Sequence, residues 1–361
     1  MSQKIFVVIP FYNGREYIPD CFDSLNKQTI VPEKIIVIDN NSTDGSQELL
    51  VNFQFPISSP SPKWLRRPSN FQLILNDVNL GFVGAANQGI KEAINQGADF
   101  VFLLNQDTLC DQKCLENLLA VEQSQVNIFA VQALLLCWPQ KNLIQTSGDR
   151  IHFLGFGYSG DFKQPADLYK NIQFKNITYA SGAAMFINVE ALKKVGLFDQ
   201  DLFMYHDDLD LCWRARFLGY QIILAAQAIV YHKYTEKLIK SRWYWSERNR
   251  TLTLLKFYKW QTLVLIFPVW LVMELGVLLY SLLTGWFVLK IKSYGTALKL
   301  LPQTIRKRVK TQLSRQVSDR QIAKTLDGQF NFAGFGHPVL KYLINLIFGL
   351  YWFLVRQMIF W

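Results

Sequence analysis

Short hydrophobic runs alternate with longer segments of mixed polarity through the first two thirds of the chain. The runs IFVVIP, KIIVIDN, QLILN and FVFLLNQDT have the length and the β-branched or aromatic content of strands. Between them lie the helix-like segments GREYIPDCFDSLNKQ and VGAANQGIKEAINQG, and a further helix is predicted near residues 44–52. Because the strands are continuously apolar, helices are expected on both faces of the sheet. The pattern predicts an α/β fold with a Rossmann-like, mostly parallel sheet flanked by helices.

Residues 53–71, FQFPISSPSPKWLRRPSNF, interrupt this alternation. The segment is rich in proline and serine and carries two adjacent arginines, so it cannot form a regular element. It is interpreted as a loop inserted into the first half of the fold.

Two long apolar stretches occupy residues 261–289 and 339–361, and both are long enough to reach across a bilayer. The segment between them, residues 290–337, is strongly basic and is interpreted as a linker. A single span would export that segment, which positively charged segments resist. We therefore favour apolar helices that lie in the membrane interface or re-enter the same leaflet, with the basic linker on anionic headgroups. Two full spans and buried helices of a soluble domain are the alternatives.

The formal net charge of +10 changes this picture little, because the cations are concentrated in the C-terminal half beside the apolar stretches. A membrane surface explains that distribution, and no nucleic-acid partner is predicted. The five cysteines include no CxxC pair, so neither a disulfide framework nor a zinc site is indicated. The chain enters an apolar strand after four residues, too short a run for a signal-peptide core, so the first domain is expected in the cytoplasm.

Polar residues follow the first two strands in VVIPFYNG, residues 7–14, and VIDNNSTDGS, residues 37–46. Ligands of open α/β sheets bind at the carboxyl ends of strands, where Asp39 can accept a hydrogen bond from a ribose or a base. The alternative is a pair of polar turns in which Ser42 or Thr43 caps a helix. A third segment, NLGFVGAANQGI at residues 79–90, opens a helix with small residues that permit close approach of an anionic ligand. Its spacing matches neither GxGxxG nor GxxxxGK[ST], so a dinucleotide oxidoreductase and a P-loop nucleotidase have no support.

Acidic residues supply the remaining chemistry. In LLNQDT, residues 103–108, Asp107 follows a strand and can hold Mg²⁺ or Mn²⁺, although an aspartate here can also cap the next helix. His232, at the end of the strand AIVYH, is either a further ligand or a structural histidine. Asp207, Asp208 and Asp210 cluster at a helix start, where neighbouring carboxylates raise each other's pKa and favour a general base. A solvated acidic helix start is the alternative.

These motifs, in this order, resemble glycosyltransferase family 2 with the GT-A fold, and within it the rhamnosyltransferase-like branch. The resemblance runs from about residue 5 to about residue 255 and rests on VVIPFYNG, DNNSTDGS, NLGFVGAANQGI, NQDT, GAAMFI and YHDDLDLCWRARFLGY. It implies a catalytic domain at 1–255, with a nucleotide-binding half at about 1–110 and an acceptor half at about 111–255. Residues 256–361 are then a membrane-associated helical region.

The resemblance implies that Asp208, with Asp207 beside it, is the catalytic base and that Asp107 and His232 hold Mg²⁺ or Mn²⁺. Here Asp207 stands where the family usually has glutamate, and Asn105 replaces the first acid of the DxD motif. The segment SERNRTLTLLK is similar to a basic region that follows the family's catalytic domain. The residues expected at the donor are Pro10, Tyr12, Asn13, Asp39, Asn79, Gly81, Asn87, Asn105, Gln106 and Arg248.

The implied reaction is an inverting displacement in which an acceptor hydroxyl attacks a nucleotide-diphosphate sugar. The implied acceptor is a glycan or a lipid-linked glycan in cell-envelope polysaccharide synthesis, and rhamnose is one candidate sugar. The aromatic patch Trp243, Tyr244 and Trp245 suits either stacking on sugars or the headgroup level. A transferase to polyprenyl phosphate and an inactive membrane-anchored scaffold are the competing interpretations.

Overall fold

A computed structural model describes residues 3–54, 70–234, 240–330 and 338–361. Most of the predicted proline- and serine-rich loop lies outside these residues, and Phe53 and Gln54 end a helix. The strands are β1 Ile5–Phe11, β2 Lys34–Asp39, β3 Phe71–Leu75, β4 Phe100–Leu104, β5 Thr108–Cys110, β6 Ile128–Cys137, β7 Ile144–Thr146, β8 Asp149–Ile151, β9 Gly157–Ser159, β10 Phe174–Asn176, β11 Ala184–Asn188 and β12 Gln221–His232. The helices are α1 Ile18–Asn26, α2 Ser46–Gln54, α3 Gly81–Asn95, α4 Cys114–Ser124, α5 Val189–Val195, α6 Asp207–Phe217, α7 Lys240–Phe257, α8 Trp260–Leu283, α9 Phe287–Ser314, α10 Asp319–Ala323 and α11 Pro338–Met358.

The chain forms two compact units. The first contains the described residues of 1–148, 159–212 and 220–235, and the second contains those of 149–158, 213–219 and 236–361. Helix α7 therefore belongs to the second unit, although the sequence suggests a boundary near residue 255. The segment predicted as a basic linker is mostly helical, because α9 runs from Phe287 to Ser314.

The first unit is built on a large sheet whose nucleotide-binding half has the predicted parallel arrangement. Strands β3, β2, β1 and β4 are neighbours in that order and all run parallel. In this register Phe11 pairs with Asp39, and Asp39 pairs with Leu75. Parallel strands end at the same edge of a sheet, so the polar segments that follow β1, β2 and β4 lie at one edge.

Beyond β4 the sheet is mixed rather than mostly parallel. Strand β11 runs antiparallel to both β4 and β6, whereas β12 runs parallel to β6. The short strand β5 pairs antiparallel with the end of β12, where Thr108 lies opposite His232. This register brings the residue before Thr108, which is Asp107, beside the end of β12.

The core of the first unit consists of the inward sides of these strands and the helices that cover them, including Val7, Val37, Phe102 and Phe186. Helix α3 packs closely on β1 and β2 at Gly89. A Cβ atom there would clash with the side chains of Ile38 and Val8. Close packing at this position fixes the middle of α3 on β1 and β2.

The second unit is mainly helical. A buried ionic cluster joins Glu247 and Arg250 of α7, Glu274 of α8 and Lys290 of α9. Helices α8 and α11 correspond to the two predicted apolar stretches. Among the described residues, α8 is long and apolar enough to cross a membrane, and residues 342–358 form a shorter apolar helix.

Candidate active site

Asp39 ends β2 as a fully buried carboxylate. Its Oδ1 accepts a hydrogen bond from the Ser42 backbone N–H at 3.1 Å. Its Oδ2 has no partner among the described residues. A buried acceptor without a partner is costly, because it has lost its hydrogen bonds to water. This oxygen is therefore poised to accept a donor from a ligand at the edge of the sheet.

The loops after β1 and β2 are bound to each other by Asn13, which has a positive φ of 47°. Its N–H donates to Ser42 Oγ at 2.9 Å, and its side-chain oxygen accepts from the Thr43 N–H at 2.7 Å. The first residues of α2 are instead met by Asp44, which accepts from the Ser46 N–H. Ser42 and Thr43 thus connect the two loops, and the helix-capping alternative is wrong for them.

Gln106 holds the end of β1 in place. Its side-chain amide accepts from the Tyr12 N–H at 2.7 Å and donates to the Tyr12 carbonyl at 3.0 Å. The Tyr12 ring remains exposed. Pro10 lies within β1, partly buried opposite Ile38, and carries no backbone donor. Of these predicted donor-binding residues, Tyr12 presents its side chain to the solvent, whereas the Gln106 amide is occupied by backbone.

Asn40 organises the turn before α3, and sequence reasoning missed it. Its side-chain N–H donates to Asn79 Oδ1 at 2.9 Å and to the Gly81 carbonyl at 3.0 Å. Its side-chain oxygen accepts from the Leu80 N–H at 2.9 Å. The motif DNNSTDGS contains this residue, but nothing in the spacing distinguishes a buried amide from its exposed neighbour Asn41.

Gly81 begins α3 with a φ of +72°, in the left-handed region that favours glycine. A Cβ atom there would lie 2.6 Å from the carbonyl oxygen of Phe203. Asn79 accepts from the Gly81 N–H at 2.8 Å. A small residue is therefore required at this position by a close contact with Phe203 of the same unit, whereas the sequence predicts the close approach of an anionic ligand.

Asn87 has a structural role in place of the predicted donor-binding one. Its amide donates to the Phe198 carbonyl at 2.9 Å, and its oxygen accepts from the Phe198 N–H at 3.0 Å. The side chain is buried. Both of its polar atoms thus hold the segment that leads to α6, and at 2% exposure the side chain does not present its amide to a ligand at the surface.

Asp107 and His232 are brought together as the sequence predicts. His232 Nε2 lies 3.0 Å from Asp107 Oδ1, and Nδ1 lies 2.8 Å from Oε1 of Gln145. Asp107 precedes strand β5 rather than a helix, so the helix-capping alternative is wrong. Burial raises the pKa of Asp107, but the hydrogen bond and charge of His232 and the charge of Lys233 lower it by more. The net pKa of Asp107 is therefore below the ordinary value.

Gln145 was also missed by sequence reasoning. It lies in the three-residue strand β7, which pairs antiparallel with β6. An imidazole ligand commonly donates its other ring N–H to an oxygen, which fixes its tautomer and orientation. Gln145 provides such an oxygen for His232. No local motif surrounds this residue, so only the tertiary structure identifies it.

The acids at the start of α6 differ in exposure. Asp207 is buried, and removal from water together with the charges of Asp208 and Asp210 raises its pKa well above the ordinary value. Asp208 is partly exposed and accepts from the Leu209 N–H at 2.8 Å and, weakly, from the Gly182 N–H at 3.3 Å. Burial of its carboxyl raises the pKa of Asp208 to about 6. The buried setting excludes a simple solvated helix start.

Asp208 is connected to the end of β4 through the segment before β11. Gly182 contacts Asp208, and the carbonyl of the next residue, Ala183, accepts from the Asn105 N–H at 3.0 Å. Asn105 in turn lies two residues before Asp107. The base candidate and the cation-ligand candidates therefore border the same strand end in the first unit.

Arg248 lies in the second unit, on α7. It is buried, its guanidinium lies 4.5 Å from the Trp245 ring centre, and its Nε donates to Asn249 Oδ1 at 2.8 Å. Its role in donor binding stays a prediction. Among the described residues no group of three or more His, Cys, Asp or Glu side chains could enclose a metal ion. Asp107 and His232 are thus a pair of candidate ligands, and their role in holding a cation stays a prediction.

Comparisons with known proteins agree with this architecture. The model of the family described as "Glycosyl transferase family 2" matches residues 6–196. The O-antigen chain rhamnosyltransferase RfbN of Salmonella typhimurium is 27% identical over 238 residues, covering 64% of this chain and 67% of the relative. The amylovoran biosynthesis glycosyltransferase AmsB of Erwinia amylovora is 28% identical over 235 residues, covering 63% and 69%.

A solved structure, GalNAc-T7 with UDP, GalNAc and Mn²⁺, superimposes with a TM-score of 0.56 and 16% identity. The match covers 70% of this chain and 48% of that one. This chain thus spans about half the length of that structure and about two thirds of each of the two relatives. The similarity confirms the predicted GT-A fold.

Proposed function

The chain belongs to glycosyl transferase family 2, and we propose that this glycosyltransferase moves a sugar from a nucleotide-diphosphate donor to a glycan or lipid-linked glycan acceptor, with inversion. The observation that carries the proposal is the set of acidic groups along one edge of the sheet: Asp39 with an unpaired buried oxygen, Asp107 beside His232, and Asp208. The reaction requires one acidic group to bind the nucleotide, one to hold the cation and one to accept the proton of the acceptor hydroxyl.

The unpaired oxygen of Asp39 supports nucleotide binding. Bases and riboses carry N–H or O–H donors, and a buried carboxylate selects a ligand that supplies one. The neighbouring N–H groups and side chains of the loops after β1 and β2 are occupied with each other, so these loops are already ordered. A preformed pocket costs less on binding than one that must be ordered first.

The residues present fit a divalent cation. A carboxylate oxygen and an imidazole nitrogen suit Mn²⁺, and Mg²⁺ is compatible because it commonly takes one or two protein carboxylates plus waters and phosphate oxygens. Asp107 and His232 would hold the ion, with Gln145 orienting His232. When bound, such an ion stabilises the negative charge of a diphosphate leaving group. The fold relative solved with UDP and Mn²⁺ is consistent with this set.

Asp208 serves as the base in this proposal. It is the more exposed of the two adjacent acids, whereas Asp207 is buried. A pKa of about 6 keeps Asp208 ionised at neutral pH while making it a better proton acceptor than an ordinary carboxylate. Asp208 takes the proton from the acceptor hydroxyl as the oxygen bonds to the anomeric carbon, and the bond from that carbon to the diphosphate breaks.

The names of the two relatives support cell-envelope polysaccharide synthesis as the setting and rhamnose as one candidate sugar. We include a membrane surface and a cytoplasmic catalytic unit in the proposal, because the apolar helices and the cations of the second unit suit them.

The test is turnover of a panel of nucleotide sugars by the purified full chain, with and without Mg²⁺ or Mn²⁺, with glycan and polyprenyl phosphate acceptors in separate arms. Cation-dependent consumption of one donor and transfer to a glycan supports the proposal. Transfer only to polyprenyl phosphate would replace the acceptor class. If the protein binds none of the donors, the proposal is wrong and the interpretation as an inactive scaffold is favoured.

A further inference from the structure

Helix α8 is apolar around most of its circumference: it buries Ile266 and Val269 and also exposes many large apolar side chains, unlike a helix on the surface of a soluble protein. Its buried residues include Thr262, Glu274 and Ser281. Its large outward side chains are between 43% and 76% exposed: Val264, Phe267, Leu271, Val272, Leu275, Leu279, Leu282 and Leu283. Most of them follow one another at intervals of three or four residues, so they lie on one side of the helix and make one stripe along it. Such a stripe is stable only against an apolar environment.

Helix α11 packs on α8 and is also apolar on its outward side. The Tyr351 hydroxyl donates to the Leu265 carbonyl at 2.5 Å, and Trp361 Nε1 donates to Thr262 Oγ1 at 2.9 Å. The inward face of α11 carries Phe348 and Trp352. Its outward face exposes Leu343, Leu346, Ile347, Leu350, Phe353 and Leu354. Two packed helices of one unit therefore both present apolar side chains outward.

The buried ionic cluster shows how α8 can meet a bilayer. Glu274 of α8 bonds to Arg250 of α7 and, at 2.9 Å, to Lys290 of α9. Glu247 bonds to Arg250 at 2.7 Å and also to Lys290. Two acids thus face two bases, and each side chain is at most 6% exposed. The cluster ties the middle of α8 to its two neighbouring helices.

A bilayer-spanning orientation conflicts with this cluster. The 24 residues of α8 measure about 36 Å, enough to cross a hydrocarbon core of about 30 Å. Glu274 would then lie near the middle of the bilayer, and α7 would have to accompany it. The sequence of α7, KSRWYWSERNRTLTLLKF, is too polar for hydrocarbon. An orientation parallel to the membrane keeps α7 and the cluster out of the hydrocarbon.

Helix α9 supplies charge complementary to anionic lipid. Lys292, Lys299, Arg306 and Lys310 are all exposed. They follow one another at intervals of seven, seven and four residues, so they lie on one face of the helix. A stripe of cations beside apolar helices is typical of segments that bind anionic headgroups.

We propose that α8 and α11 lie in the plane of an anionic phospholipid bilayer, with their outward apolar stripes at the acyl boundary and with neither helix crossing it. The exposed cations of α9 contact the headgroups. The inference deepens the membrane association included in the proposed function and rests on it. A lipid-linked acceptor would be met at that surface.

The first test labels the two ends of α8 in membrane vesicles prepared from cells that express the protein. Gln261→Cys and Thr284→Cys place single thiols at exposed positions, and the unsubstituted protein gives the background from its own cysteines. A membrane-impermeant maleimide is applied to inverted and to right-side-out vesicles. Both positions are expected to react in inverted vesicles alone. Reaction of the two ends from opposite sides would establish a span and overturn the proposal.

The second test measures binding of the purified full chain to vesicles of phosphatidylglycerol and phosphatidylcholine, and to phosphatidylcholine alone. Leu275→Glu is expected to weaken binding about tenfold or more, because it places a charge on the outward apolar stripe that would enter the acyl boundary. Val126→Glu, at an exposed apolar residue of the first unit, is the matched control and should bind normally. Reversing the four α9 cations should abolish the preference for anionic vesicles.

Donor hydrolysis is measured on the same samples. Leu275→Glu should hydrolyse donor like the unsubstituted protein, so loss of vesicle binding is separable from failure of the proposed enzyme activity. Equal binding by Leu275→Glu and the unsubstituted protein would contradict the proposal. Self-association through Leu275 without any vesicle binding would assign the stripe to a second copy of the chain instead.

Discussion

Gln145 provides a specific test of how the His232 imidazole is oriented. Without a cation, the 3.0 Å contact between His232 Nε2 and Asp107 Oδ1 needs a hydrogen on Nε2. A neutral imidazole that donates from Nδ1 to Gln145 has its lone pair on Nε2 instead. That tautomer is the one that binds a cation through Nε2. Gln145→Leu removes the oxygen acceptor while keeping a side chain of similar size. The imidazole then loses the contact that selects its tautomer and fixes its ring.

The expected cost follows from comparable outer contacts of metal ligands, whose removal weakens metal affinity by about 10- to 100-fold. This corresponds to about 1.4 to 2.7 kcal/mol of binding free energy. The hydrogen bond is 2.8 Å long and His232 is 4% exposed, so water cannot readily replace Gln145. We therefore expect a loss within that range rather than a smaller one.

The assay is a titration of the full chain with Mn²⁺ in the presence of a nucleoside diphosphate, read by electron paramagnetic resonance of the free ion. Gln145→Glu keeps an oxygen acceptor and should bind Mn²⁺ at least as well as the unsubstituted protein. Gln140→Leu, at an exposed residue nearby, is the control. Unchanged affinity in Gln145→Leu, or equal losses in the Leu and Glu variants, would refute an orienting role.

Four further predictions follow, two for Asp208 and one each for Asn40 and Gly81. Because the pKa of Asp208 is raised to about 6 in the chain without substrate, kcat/KM should rise with pH through about 6 and then level off, and a flat pH profile of kcat/KM would contradict its role as base. The same raised pKa favours folding below the ordinary carboxyl pKa and loses that contribution as pH rises through about 6, so Asp208→Asn should gain more in Tm at pH 8 than at pH 5. Asn40→Ala should destabilise the fold by about 1–3 kcal/mol in urea unfolding, since it leaves the Leu80 N–H without its acceptor; a loss below about 0.5 kcal/mol would mean that water replaces it. Gly81→Ala should lower the unfolding free energy by at least about 1 kcal/mol through its left-handed φ alone, and an unchanged Tm would refute the close contact with Phe203.

The sequence predicts the parallel half of the fold well, because β1, β2, β3 and β4 are continuous apolar runs with clear helical segments between them. It does not predict the direction of β11 and β12, which are equally apolar. Direction depends on which neighbour a strand pairs with, and a buried strand looks the same in both cases.

In the candidate site, too, the sequence predicts some features and not others. Asp107 and His232 are 125 residues apart, and their 3.0 Å contact was expected only from the resemblance to a family. Gln145 and Asn40 carry no motif, because their roles arise from hydrogen bonds that exist only in the folded chain. Asn87 illustrates the opposite case. A motif indicated a ligand contact, whereas its amide is buried and bonds to the backbone of Phe198.

The most direct measurement of the central claim compares donor binding and sugar transfer by the unsubstituted protein and by Asp208→Asn, with Asp167→Asn at an exposed residue as control. Calorimetry gives the donor affinity, and product formation gives kcat with the donor identified from the panel. The account predicts that Asp208→Asn binds the donor within about threefold of normal and loses at least about a hundredfold in transfer rate. Transfer at the normal rate by Asp208→Asn would contradict the assignment of Asp208 as the base.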